Sequence, residues 1–330
     1  MRIRTDFVNK AALVGALLLF SVLGSAAVTV EKTAYAGWPN CYRVSNGEIE
    51  LIATTDVGPR IMRLGFVGGQ NLFAEFKEEL GGVKEKKWLA RGGHRLWKSP
   101  EDQVLTYALD NDTVQVTVHG DGITLTQAVE PETGLQKQIN IRMAPTGNLL
   151  TVSHRITNTG GWAVEFSPWA LTMMAPGGRA FTGFPPRGKH PEMLDPTNPL
   201  VMWAYTNLGD PRWKYSLKYL SLQQDPKNAE PQKLGMFNAE TWGAYLLGTD
   251  LFVKQYTADP EAQYPDFGCS FETFTNDKFL ELETVGPLAT VPPGEAVDHI
   301  EEWSLHKNVS IPTFSDAALD KIFLPILEKE

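Results

Sequence analysis

Cysteine is nearly missing from this chain, with only Cys41 and Cys269 among 330 residues. Two sulfurs cannot build a disulfide-dense scaffold or a Cys-rich metal module. Whether this one pair joins stays open, because nothing in the sequence brings the two Cα atoms together. Basic residues are the second shortage, 30 Lys+Arg against 39 Asp+Glu. Nucleic acid and anionic membrane need clustered positive charge, so both are disfavoured as partners and a neutral small ligand fits better. HExxH and paired-Cys spacings are missing too, so no zinc or haem signature is present and no cofactor or metal is expected. A Ca²⁺ held by scattered carboxylates and carbonyls stays open.

The chain begins with Arg2, Arg4 and Lys10 ahead of an uncharged run over residues 11–30. A basic segment feeding an apolar one, followed by the small-x-small triplet Ala34-Tyr35-Ala36, predicts an export leader over residues 1–36 and a periplasmic or secreted product. Gly24-Ser25-Ala26 offers an earlier cleavage site. An uncleaved anchor is the alternative, since the run approaches the roughly 20 residues that span a bilayer.

Hydrophobic side chains make up 42% of the sequence, enough for a sizeable core. From residue 47 onward, short alternating or apolar runs are separated by turn residues: EIELIATT (48–55), RIMRLGF (60–66), NLFAEF (71–76), TVQVTVHG (113–120), ITLTQAVE (123–130), QKQINIRMAP (136–145) and LLTVSHRITNTG (149–160). Such spacing predicts an all-β sandwich or barrel over residues 37–312. Residues 176–231, rich in Pro, Gly and aromatics, are expected to form long loops over one mouth of it. In the tail, 313–330, Ser315 is a ready N-cap, and Leu319, Ile322, Phe323, Ile326 and Leu327 recur at helical spacing. That pattern predicts an amphipathic helix packed on the sheet edge, kinked or ended early by Pro325.

The stretch 271–303 carries the first chemical signal. Alternate residues of a strand face the same way about 6.5 Å apart, so Phe279, Glu281, Glu283 and Val285 share one face. Carboxylates are rarely buried unless paired, and two inside a strongly β-forming segment point to a cleft wall, with a solvated strand face as the alternative.

Three segments together resemble the galactose mutarotase-like (aldose 1-epimerase-like) superfamily: NGEIELIATTDVGPRIMRLGFVGGQNLF (46–73), GGHRLWKSPED (92–102) and LELETVGPLATVPPGEAVDHIEEWSLH (280–306). The chain is most similar to a branch of secreted bacterial proteins that also carries WAYTNLGDPRWKY (203–215) and YPDFGCSFETFTN (264–276). The resemblance implies a large antiparallel β-supersandwich with a sugar-sized cleft on one concave face. It also implies acid/base chemistry in which a late-strand Glu takes the anomeric hydroxyl proton and a His protonates the ring oxygen. The family's L-E-T pattern falls on Leu282-Glu283-Thr284, which makes Glu283 the expected base. Where the family carries its His this chain has Met173, Met174 and Ala175. His94 is the expected substitute, with Arg95, Trp97, Glu281, Trp169, Trp203 and Arg212 as sugar-binding candidates. The three functions in view are an aldose epimerase, a carbohydrate-binding protein without turnover, and a component of a glycan lyase or hydrolase. The expected partner is a small sugar or a glycan end; the oligomeric state is not legible.

Overall fold

The structure, a computed structural model, describes residues 27–328. In chain order its strands are β1 (Thr29–Tyr35), β2 (Trp38–Ser45), β3 (Ile49–Thr54), β4 (Arg60–Phe66), β5 (Gly93–Ser99), β6 (Gln115–His119), β7 (Gly122–Thr126), β8 (Leu135–Met143), β9 (Leu149–Asn158), β10 (Val164–Met174) and β11 (Arg179–Gly183). Then follow β12 (Val201–Met202), β13 (Trp213–Tyr215), β14 (Tyr219–Gln223), β15 (Gln232–Met236), β16 (Trp242–Leu247), β17 (Asp250–Tyr256), β18 (Phe271–Thr275), β19 (Leu280–Val285), β20 (Ala289–Val291) and β21 (Ala296–His306). They form two antiparallel sheets. One runs β1-β2-β3-β4-β5-β10-β19-β18-β15-β12, with β20 on β10; the other runs β13-β14-β11-β16-β17-β21-β9-β8-β7-β6.

Alternation in the sequence explains the outer strands. In β8, Leu135, Ile139, Ile141 and Met143 turn inward, while Gln136, Gln138 and Asn140 stay partly exposed, the pattern of a sheet with one face in water. β10 and β19 break this rule, because almost every residue in them is buried. One face of each lies in the core between the sheets, with Leu280, Leu282 and Phe166. Side chains of the other face, such as Trp169, Leu171 and Glu281, line a concave cleft.

Several expectations need correction. The leader boundary at residue 36 falls inside the folded sheet: β1 pairs with β2 from Thr29↔Ser45 to Tyr35↔Trp38, and Tyr35 Oη donates to Glu75 at 2.6 Å. A small-x-small triplet is a local pattern, whereas this pairing is made with residues further along. The rest of the expected leader, residues 1–26, lies outside the described residues. Second, residues 176–231 are not all loop, since β11 to β14 lie within them. NLFAEF, read as a strand, makes only the bridges Phe73↔Met174 and Glu75↔Gly92.

Third, the C-terminal helix Asp316–Leu327 packs on a sheet face rather than an edge. Leu319 and Phe323 bury against Phe181, Trp242, Ala244 and Val253. Ser315 caps it through Ala318 N. Pro325 is accommodated without ending the helix, since near the C-terminus its ring costs only one backbone hydrogen bond. Cys41 and Cys269 are both free thiols, and both are buried. Among the described residues no helix is long and apolar enough to cross a membrane.

Candidate functional site

The register across the first sheet assembles the site from residues scattered over some 190 positions. Arg95 on β5 stands opposite Leu171 on β10, Leu171 opposite Glu283 on β19, Glu283 opposite Glu272 on β18, and Glu272 opposite Gly235 on β15. The next row is Met173, Glu281, Phe274 and Lys233. Trp97 and Trp169 face each other in the row before it. All these side chains project from one face by the two-residue period of the strands.

Two glycines make the assembly close. Gly93 has a positive φ of 75°, and a Cβ there would lie 2.4 Å from the Ile61 carbonyl oxygen; only glycine accepts both conditions. At Gly235 a Cβ would meet Cys269 Sγ at 2.5 Å and the Trp203 ring at 3.1 Å, so the bare backbone lets both pack beside Lys233.

The cleft holds about 290 Å³, at the lower end of ordinary small-molecule sites. Trp88, Trp97, Tyr107, Trp169, Tyr205 and Phe274 line it, with Arg95, Glu281 and Lys233 among them. Arg95 Nη2 donates to Glu281 Oε1 at 3.1 Å. Its guanidinium lies 4.2 Å from the centre of the Trp97 ring and 5.4 Å from that of Trp88, a stacked cation–π arrangement. Arg95 Nε and Nη1 and Trp88 Nε1 are buried donors without an acceptor among the described residues.

Beside this pair lies a second, sealed cluster. Glu283 is fully buried; its Oε2 accepts from Trp169 Nε1 and from Lys233 Nζ, each at 3.0 Å. Lys233 Nζ also lies 2.6 Å from Glu272 Oε2, under the rings of Trp203 and Trp169. Asp266 closes the cluster from a turn in which Asp266, Phe267 and Gly268 all take positive φ, and it accepts from Ser99 Oγ at 3.4 Å. Burial pushes the Glu272 carboxyl well above its usual range, against Lys233 and with help from Glu283 and Asp266. Burial likewise lifts Glu281 to about 7, opposed by Arg95 and reinforced by Glu283. Burial alone would lower Lys233, but the carboxylates of Glu272 and Glu283 outweigh it and hold the ammonium charged.

His94 is not brought to this cleft. It follows Gly93 and precedes Arg95, so it points through the sheet into the interior, where it is fully buried. Its Nε2 lies 2.7 Å from His154 Nε2 and its Nδ1 2.9 Å from Thr172 Oγ1. The protons on this chain follow from one carbonyl. His154 Nδ1 contacts the His299 backbone oxygen at 2.9 Å and must donate, so its Nε2 accepts. His94 Nε2 therefore donates, and His94 Nδ1 accepts a hydrogen bond from the Thr172 hydroxyl. Burial and the neighbouring His154 keep His94 well below the usual imidazole range, hence neutral. Both its nitrogens are used, and neither reaches the cleft.

The same interior layer holds Glu301, fully buried because this position of β21 faces the inter-sheet core. Lys254 Nζ donates to it at 2.7 Å and Trp303 Nε1 at 2.8 Å. Burial would raise this carboxyl, but the Lys254 ammonium holds it low. His94, His154 and Glu301 bring donor atoms within 4.8 Å of one another, yet the Lys254 ammonium already neutralises the carboxylate and a proton already joins the two imidazoles.

Of the remaining candidates, Trp169 walls the cleft and Trp203 covers Lys233, whereas Arg212 lies elsewhere. Arg212 pairs with Asp210 at 2.8 Å and donates to the Asn228 and Glu230 carbonyls, pinning a loop. Sequence reasoning missed Lys233, Glu272, Trp88, Tyr107 and Tyr205. Lys233 and Glu272 carried the signal used for Glu281, a charge inside an otherwise apolar strand (QKLGM, FETFT); the loop aromatics carried none.

No protein-family profile matches the chain, and no curated protein matches it. Solved structures do. A galactose mutarotase-like protein from Lactobacillus casei superposes with a TM-score of 0.54 at 11% identity, covering 81% of this chain and 100% of that one. One from Clostridium acetobutylicum gives 0.53 at 10% identity, covering 85% and 99%. A TPR-domain containing protein from Parabacteroides distasonis gives 0.54 at 14%, covering 83% of this chain but 48% of that one. The chain therefore has the galactose mutarotase-like fold, an all-β double sheet with a short C-terminal helix.

Proposed function

We propose that this protein is an exported carbohydrate-active protein that takes one sugar residue, free or at a glycan end, into the concave cleft and exchanges its anomers by acid/base chemistry. The observation that carries the reading is the pairing of aromatic walls with a charged floor: Trp88, Trp97, Trp169 and Tyr205 around Arg95 and Glu281. Flat rings suit the apolar face of a pyranose, and a few fixed polar groups select its hydroxyls. The unfilled donors of Arg95 and Trp88 favour a ligand rich in acceptors. The fold of the neighbouring structures agrees with a sugar ligand.

Export rests on the basic and apolar leader. Cleavage after Ala26 is the consistent choice, because cleavage after Ala36 would remove β1. The product would then be periplasmic or secreted.

A second reading, sugar binding without turnover, is favoured by the inward position of His94 and the sealing of Glu283. Polarimetry on freshly dissolved aldoses and uronic acids, beside calorimetric titration of the same sugars, separates the two. Faster anomer exchange supports catalysis; saturable binding with no exchange supports the second reading; neither effect across the panel removes both.

A further inference from the structure

We infer that Glu281 alone carries the proton in this cleft, its two carboxyl oxygens acting together on the anomeric hydroxyl and the ring oxygen of one bound aldose. The inference rests on the sugar-acting reading above, and it departs from the expected pairing of Glu283 with an imidazole.

Elimination and geometry lead to it together. His94 lies behind the sheet with both nitrogens bonded. Glu283 and Glu272 are fully buried, and Lys233 is committed to both. The Tyr107 hydroxyl is given to Glu101 at 2.6 Å, and burial holds the Tyr205 phenol up at about 12. Glu281 differs from all of these. It lines the cleft with its side chain 10% exposed, and among the described residues the one hydrogen bond to its carboxyl is the Arg95 contact on Oε1. Oε2 is left to whatever enters.

The groups facing this carboxyl set its protonation. Arg95 on β5 and Lys233 on β15 favour the ionised form, and Glu283 on its own strand opposes it. Glu272 on β18 and Asp266 in the adjoining turn belong to the same cluster, and Glu101 and Tyr107 line the same cleft. Burial is the largest influence and leaves the carboxyl near neutrality, where a group that must both give and take a proton works best.

The step balances without any other reactant. Protonated Oε2 gives its proton to the ring oxygen as the C1–O5 bond breaks, its electron pair going to O5. Oε1 takes the anomeric O–H proton as C1=O1 forms. The carboxyl ends protonated on the other oxygen, and the sugar is an open aldehyde. Rotation about C1–C2 and the reverse transfers close the ring as the other anomer. O1 and O5 hang from one carbon, as do the two carboxyl oxygens, so the pairs span similar distances. Arg95 acts as a positioning residue, fixing the carboxyl plane.

The test uses the full chain with freshly dissolved α-glucose, α-galactose and α-galacturonic acid, polarimetry for exchange and calorimetry for binding. Wild type should accelerate exchange of at least one sugar, with the rate falling as pH rises through about 7. Glu281→Gln should lose that acceleration by about 10²-fold or more while binding the sugar within a few-fold. Glu281→Asp should keep part of the rate with a shifted pH profile, a readout that a purely structural role would not move. An active wild type with an equally active Glu281→Gln overturns the inference and leaves the proposed function standing. Binding by a wild type that accelerates nothing overturns the inference and leaves sugar binding. No binding and no acceleration overturn both.

Discussion

Lys233 Nζ lies 2.6 Å from Glu272 and 3.0 Å from Glu283, bridging two carboxylates from adjacent strands that face each other in register. All three side chains are buried. Two like charges held this close can share a dry site only because the ammonium lies between them and because Glu272 is driven toward its neutral form.

Removing that cation should therefore cost far more than a surface ion pair. Lys233→Met should destabilise the fold by about 3–5 kcal/mol at pH 7, the usual cost of stranding a buried charge. The loss should shrink as pH falls, because Glu272, already driven toward its neutral form, then carries no charge to strand. Urea denaturation at pH 7 and pH 4 measures it; equal losses at both would contradict the electrostatic account.

Arg95 should matter for ligand rather than for folding. Among the described residues its guanidinium has one acceptor and two nitrogens without one. Arg95→Gln should weaken sugar binding by about tenfold or more, in line with the about 1.5–3 kcal/mol of a hydrogen bond to a charged group. Its urea midpoint should move little. Calorimetry beside denaturation separates the two effects.

Acid should unfold this protein partly through its core histidines. Burial lowers His94, His154 and His299, the last to about 3. A base with a depressed native value binds fewer protons folded than unfolded, so stability is present above the unfolded value of about 6.5 and drains away as pH falls toward the native value. Between pH 6.5 and 4, His299→Gln should lose less stability than wild type. Parallel slopes for the two would refute the assignment.

Glu281 should act with the opposite sign. Its native value is raised to about 7, so the folded form holds its proton more firmly than the unfolded chain; that stability is full below about 4.3 and is lost as pH rises through 7. Glu281→Gln, neutral at every pH, should gain on wild type above pH 7 by on the order of 3 kcal/mol. The gain should vanish below pH 4.

Truncation tests the leader boundary. A chain beginning at residue 27 should unfold cooperatively, whereas one beginning at residue 37 lacks β1 and the Tyr35–Glu75 bond. The shorter chain should melt several degrees lower, since about 1 kcal/mol shifts Tm by about 2–4 °C at this size. Identical melting curves would show that β1 contributes nothing.

Much of this protein was determined along the chain itself. Two-residue alternation in segments such as QKQINIRM, punctuated by turns, dictated an all-β sandwich or barrel, and Ser315 with the Leu319 and Phe323 spacing dictated the last helix. Placing Glu281 and Glu283 on one face needed only the strand period, whereas Arg95 and Trp97 were candidates only through the family resemblance. What tertiary structure alone decided was depth and side. His94 and Arg95 are neighbours in sequence, and the same alternation that sends Arg95 into the cleft sends His94 into the core, but which side is which depends on where the second sheet packs. Glu283 is sealed because Trp169 and Lys233 come to it from strands 114 and 50 residues away. No local pattern encodes those approaches, and they leave Glu281 rather than Glu283 open to a ligand.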